Sequence, residues 1–96
     1  MTEKPASYSI TETLTERGSR YGDFPGHAEI VIDLKEVIGD HLRKRGKQLA
    51  DYQTEALHMI CHKIGRIING DPDYADSWHD IAGYATLVEQ ELSKDE

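Results

Sequence analysis

The chain has 96 residues, of which 38% are hydrophobic and 30% charged, with a formal net charge of −7. Such a length fits one domain that leaves much of its apolar surface uncovered, and the composition fits a folded domain better than a disordered one. The acidic balance argues against non-specific binding to DNA or to an anionic membrane, both of which need a basic surface.

In chain order, residues 1–8 read as a loose polar tail, and residues 9–96 as a single helical domain. Ser9 followed by Glu12 has capping-box spacing and predicts a short first helix to about Arg17, with Ile10 and Leu14 inward and Gly18 as its end. The next stretch, GSRYGDFPG, holds three glycines and a proline and predicts a loop bent around Tyr21 and Phe24. A second helix is expected from about His27 to Arg45, with Ile30, Val31, Leu34, Val37, Ile38 and Leu42 at helical spacing and Gly46 as its stop. A third is expected from Asp51, as N-cap, to Asn69, with Leu57, Ile60, Ile64, Ile67 and Ile68 as its apolar stripe. A fourth should begin near Asp73 or Ala75 and run to about Ser93, burying Trp78, Ile81, Ala82, Ala85, Val88 and Leu92. The short connection between the last two makes them an antiparallel hairpin. The fold class is therefore all-α: three long helices and one short N-terminal helix, a bundle completed by oligomerisation.

Charge is unevenly spread. Residues 1–40 hold eight acids and four bases, residues 41–70 two acids and six bases, and residues 71–96 eight acids and one base. The single Cys61 rules out an intramolecular disulfide and fits a reducing cytosol. No run approaches the roughly 18 to 20 apolar residues of a membrane span, and the N-terminus lacks the apolar centre of a signal peptide. A cytoplasmic protein without membrane or DNA partners is expected.

The polar residues of the last hairpin form two rows. Glu55, His58, His62 and Arg66 lie along one line of the third helix, with Lys63 beside them. Asp76, Asp80 and Tyr84 follow at one-turn steps on the fourth, with His79 adjacent. Facing rows would either build a ligand groove or simply pair across the hairpin. Asp76 and Asp80 suit a hard cation such as Mg²⁺, which takes oxygen ligands, while Lys63 and Arg66 suit phosphate. Glu55, His58 and His62 have spacing that zinc can use, although surface histidines do the same. Arg20 beside Tyr21, with Phe24 near, can hold a phosphate and stack a base, or can pin a loop against the helices.

Three pieces, RYGDF, HKIGRI and DSWHDIAGYA, together resemble small uncharacterised phage and prophage proteins. They are also distantly similar to the nucleotide-modification-associated domains of phages, and through these to the all-α NTP pyrophosphohydrolases of the MazG and dimeric dUTPase type. The resemblance spans roughly residues 17 to 90. It implies an oligomeric helical bundle in which acidic ExxE and ExxD motifs on facing helices hold Mg²⁺. Asp80 matches the last acid of the second motif, but Ser77 stands three positions before it, where Asp76 would substitute. Glu55 supplies one acid of the first motif and is followed three residues later by His58. Lys63 and Arg66 match the Lys-Ile-x-Arg-Ile element of the phage relatives. Phosphoanhydride hydrolysis needs enough carboxylates to hold activating metal ions, and this chain keeps few.

The function expected is therefore binding of a nucleotide or nucleotide-derived signal, such as one used in bacterial defence, held without turnover in the host cytosol. Its ligand contacts would be Arg20, Tyr21, Phe24, His62, Lys63, Arg66, Asp76, Asp80 and Tyr84. The alternatives are a Mg²⁺-dependent NTP pyrophosphohydrolase with Glu55, Asp76 and Asp80 as metal ligands, and a phage adaptor or inhibitor that binds a host protein.

Overall fold

The computed structural model describes residues 6–94, with side chains from Ile10 onward. Its elements are α1 (Ala6–Tyr21), α2 (Phe24–Lys44), α3 (Asp51–Asn69) and α4 (Ala75–Ser93), with no strand among the described residues. All-α architecture is thus as the periodicity predicts.

The first boundary differs. Helix α1 already contains Ala6, so Ser9 lies inside it and not at its cap, and residues 6–8 of the expected tail are helical. It runs on through Gly18 and ends at Tyr21, just before Gly22, whose φ of +77° is open to a residue without Cβ. The expected loop over residues 18–26 shrinks to Gly22 and Asp23. Asp23 is the N-cap of α2 and accepts a hydrogen bond from the Gly26 amide at 3.4 Å, while Pro25 sits in the first turn, where its missing N–H is harmless. The other ends fall close to their expected places. Lys47 N–H donates to Leu42 O at 2.9 Å as α2 closes. Ala50, one residue before Asp51, caps α3, and its amide donates to Gln53 Oε1 at 3.0 Å.

Helix α3 is the centre. Helix α2 lies on one flank and α4 on the other, both antiparallel to it, and α1 meets α2 and α3 by its C-terminal end. The result is a single layer of three helices with a projecting fourth, 54 × 30 × 25 Å in extent. Its radius of gyration is 16.8 Å, against about 12–13 Å for a compact chain of this length.

Burial follows the flanks of α3 and not one stripe. Ala56 and Lys63 are buried toward α4, and Cys61 and Gly65 toward α2, with Val31, His27 and Ser77 supplied by the neighbours. No large side chain falls below 2% exposure among the described residues. Several residues expected in the core are instead open: Trp78 is 55% and Ile68 65% exposed, and Ile10, Leu14, Val37, Leu57 and Leu92 are exposed as well. A helix with neighbours on two opposite flanks has two remaining sides, and an apolar stripe centred on one of them is covered only at its edges: Ile60, Ile64 and Ile67 are half-buried.

Candidate functional site

One of those free sides of α3 carries His62 and Arg66, and there the end of α1 docks. The junction is built by hydrogen bonds to backbone carbonyls. Asn69 at the end of α3 donates through Nδ2 to Tyr21 O at 2.9 Å and to Asp23 O at 2.7 Å, and the Asp71 amide donates to Arg20 O at 2.6 Å. A Cβ on Gly22 would run into the Asn69 carbonyl, so a side chain there is excluded by space as well as by φ.

Docking sets up an alternation of cations and rings. Arg66 Cζ lies 4.3 Å from the Tyr21 ring centroid, Tyr21 meets Tyr74 edge to face at 6.0 Å, and Arg20 Cζ lies 4.4 Å from the Tyr74 centroid. Cation–ring contacts of this kind are worth about 0.5–1 kcal/mol when exposed and more when water is removed. On the Arg66 side the helices enclose a cleft of about 490 Å³, lined by Leu14, Arg17, Tyr21, Phe24, His62 and Arg66 among others. Asp23 is its one acid among the described residues, and that carboxylate already caps α2.

The floor of the cleft is a histidine pair. His27 Nε2 lies 3.2 Å from His62 Nδ1, with the rings edge to face at 4.5 Å. Gly65 makes this approach possible: a Cβ there would lie 2.8 Å from Val31 Cγ2 and 3.0 Å from His27 Nδ1. Burial, reinforced by Arg66, pushes the His62 imidazolium down to about 4 and lowers His27 as well, so both rings are neutral at pH 7. One then donates and the other accepts.

The remaining expected contacts divide. Lys63 does not enter the cleft: its side chain, only 10% exposed, reaches α4 and pairs with Asp80 at 2.8 Å. That bond holds the Asp80 carboxyl below its ordinary range. The hairpin-pairing reading is therefore right for these two. Asp76 accepts from Tyr74 Oη at 2.9 Å, which raises the phenol. Tyr84 and Asp80 line a separate open depression with His79, away from Tyr21. Arg20 pairs with Glu16 at 2.6 Å and faces a different, shallower surface with Tyr74. Glu55 lies farther along α3 and lines another depression with Tyr52, Tyr84 and Val88. Among the described residues no three His, Cys, Asp or Glu side chains converge as a metal site requires, so Glu55, Asp76 and Asp80 are not brought together, nor are Glu55, His58 and His62. Cys61 is buried, and burial raises its thiol.

Sequence reasoning missed Arg17, His27, Asn69 and Tyr74. His27 read only as a helix start, and Asn69 only as the residue before a terminating glycine. The signal available for Asn69 was the unsatisfied carbonyls at the end of α1, which need a donor from elsewhere.

No curated protein and no solved structure matches the chain. A family model described as a domain of unknown function, DUF6378, matches residues 9–92, and the chain belongs to that family.

Proposed function

We propose that the protein binds a nucleotide or nucleotide-derived anion in the cleft between α1, α2 and α3, and holds it without turnover. The observation that carries this reading is Arg66 stacked on Tyr21 at 4.3 Å in the wall of a cleft that also presents Arg17 and Phe24. Among the described residues no carboxylate lies within ion-pair distance of Arg66, so its charge is open to an anion. Guanidinium groups suit phosphate oxygens, Phe24 offers a face to a base, and the neutral His62 offers a hydrogen bond without adding charge. Sequestration fits better than hydrolysis because Asp80 is taken by Lys63 and Asp76 by Tyr74. The working form is taken to be a homo-oligomer.

Purified protein is incubated with a panel of nucleotides and cyclic or ADP-ribose-derived signals, with and without Mg²⁺, and its melting temperature followed. A ligand that binds only the folded state raises Tm. The expected result is a rise with intact ligand recovered after heat denaturation, and loss of the rise in Arg66→Ala with helix content unchanged. Equal binding by Arg66→Ala overturns the site. Hydrolysed ligand overturns sequestration, and no shift with any nucleotide favours a protein partner.

A further inference from the structure

The α2–α3–α4 layer has a second side, away from α1 and the cleft. An advance of about 100° per residue puts Leu57 and Ile68 on that side of α3, opposite Glu55 and Arg66. Because α2 and α4 both run antiparallel to α3, the same side receives Val37 from α2 and Trp78, Ala85 and Leu92 from α4. All six are exposed. Among the described residues helix α4 packs against α3 alone, which leaves this second apolar stripe of α4 without a neighbouring helix there.

We propose that this side is a self-association surface, and that it is covered by a second copy of the chain packed layer on layer. Stable domains bury a helix layer against another layer, and the described residues supply only one. Three helices about 9 Å apart and about 28 Å long present a plate of roughly 750 Å². That matches the about 800 Å² per partner of a standard interface. Charge selects the same side: copies of a chain with net charge −7 repel unless they meet where acids are few, and the centre of this plate is apolar. A core in which no large side chain is fully buried requires its cover whenever the chain is folded, and a second copy is the partner always present.

The full chain is examined by sedimentation equilibrium, and the emission of Trp78, its one tryptophan, is recorded on the same samples. The expected mass is that of two 10.9 kDa chains, with the blue-shifted emission of a covered indole. A single-chain mass, or the emission of a water-exposed indole in a dimer, overturns the proposal. Val37→Lys and Ile68→Lys should yield monomers, whereas Ile32→Lys, exposed on the outer side of α2, should leave the dimer intact. A dimer that survives both of the first two substitutions, or dissociates equally with Ile32→Lys, overturns the placement. Where a substitution prevents folding, wild-type mass and Trp78 emission still decide.

Discussion

The two free sides of α3 were made by one helix and differ in every respect. One carries His62 and Arg66 and is roofed by the end of α1; the other carries Leu57 and Ile68 and is roofed by no element among the described residues. The difference teaches that α3 is not an amphipathic helix with a core side and a solvent side. Its core lies along its flanks, through small residues and a lysine, while Ile60, Ile64 and Ile67 of its apolar stripe are half-buried and Leu57 and Ile68 face outward. Both sides depend on the α2–α3 seam, and the seam depends on Gly65. The largest expected effect therefore comes from Gly65→Val, since even a Cβ would lie 2.8 Å from the buried Val31. Overpacking should cost about 1–3 kcal/mol, a fall in Tm on the order of 10 °C. Thermal unfolding checks this, and the variant should lose ligand response along with stability. An unchanged Tm would mean that α2 and α3 are not packed as closely as Gly65 implies.

A change confined to the cleft side should instead appear in the pH dependence. His62 is neutral in the fold, with its pKa lowered to about 4 from an ordinary 6.5, chiefly by burial. Between those values the unfolded chain binds the proton and the folded chain does not, so stability falls as pH drops from about 6.5 toward 4. Below 4 both states are protonated and His62 adds no further loss. His27, lowered in the same direction, adds to the slope. The pairing of Asp80 with Lys63 also stabilises above the ordinary carboxylate range and is lost as pH falls through the depressed value. His62→Gln should flatten the melting curve against pH over the histidine window and leave the Asp80 limb in place. Parallel curves for the two proteins would show that His62 is not held neutral by the fold.

The sequence made α3 and α4 legible to within a residue or two, because glycine after Asn69 and a short acidic turn mark their ends, whereas α2 begins at Phe24, before the expected His27, because Asp23, read as part of a loop, caps it. Helix α1 was misread because Gly18 looks like a stop, yet nothing in the sequence states which of two glycines adopts positive φ. Within the candidate site, Arg66, Tyr21, Phe24 and His62 were singled out by type and spacing, but as two separate elements, and only the docking of α1 brings them to one cleft. Lys63 and Asp80 were legible only as two options, and a single distance of 2.8 Å decides for pairing. The core was the least legible part. Trp78 and Ile68 look internal by composition, and only the arrangement of α2 and α4 around α3 turns them outward.

The smallest effect on stability sharpens the contrast between the sides. Phe24 is 78% exposed at the mouth of the cleft, and substitutions at such positions usually change stability by no more than about 0.5 kcal/mol. Phe24→Ala should therefore leave Tm in the absence of ligand almost unchanged, and it should not alter the mass of the protein in solution, because Phe24 lies on the α1 side of the layer. Its effect should be confined to ligand: removal of one stacking face typically costs about 1–3 kcal/mol, a loss of roughly 5- to 150-fold in affinity. Titration calorimetry with the nucleotide that raises Tm most would read it directly. Unchanged affinity would place the base elsewhere in the cleft, against Tyr21, whereas a fall in unliganded Tm would show that Phe24 packs against the body and that its exposure in the free chain is covered by another surface.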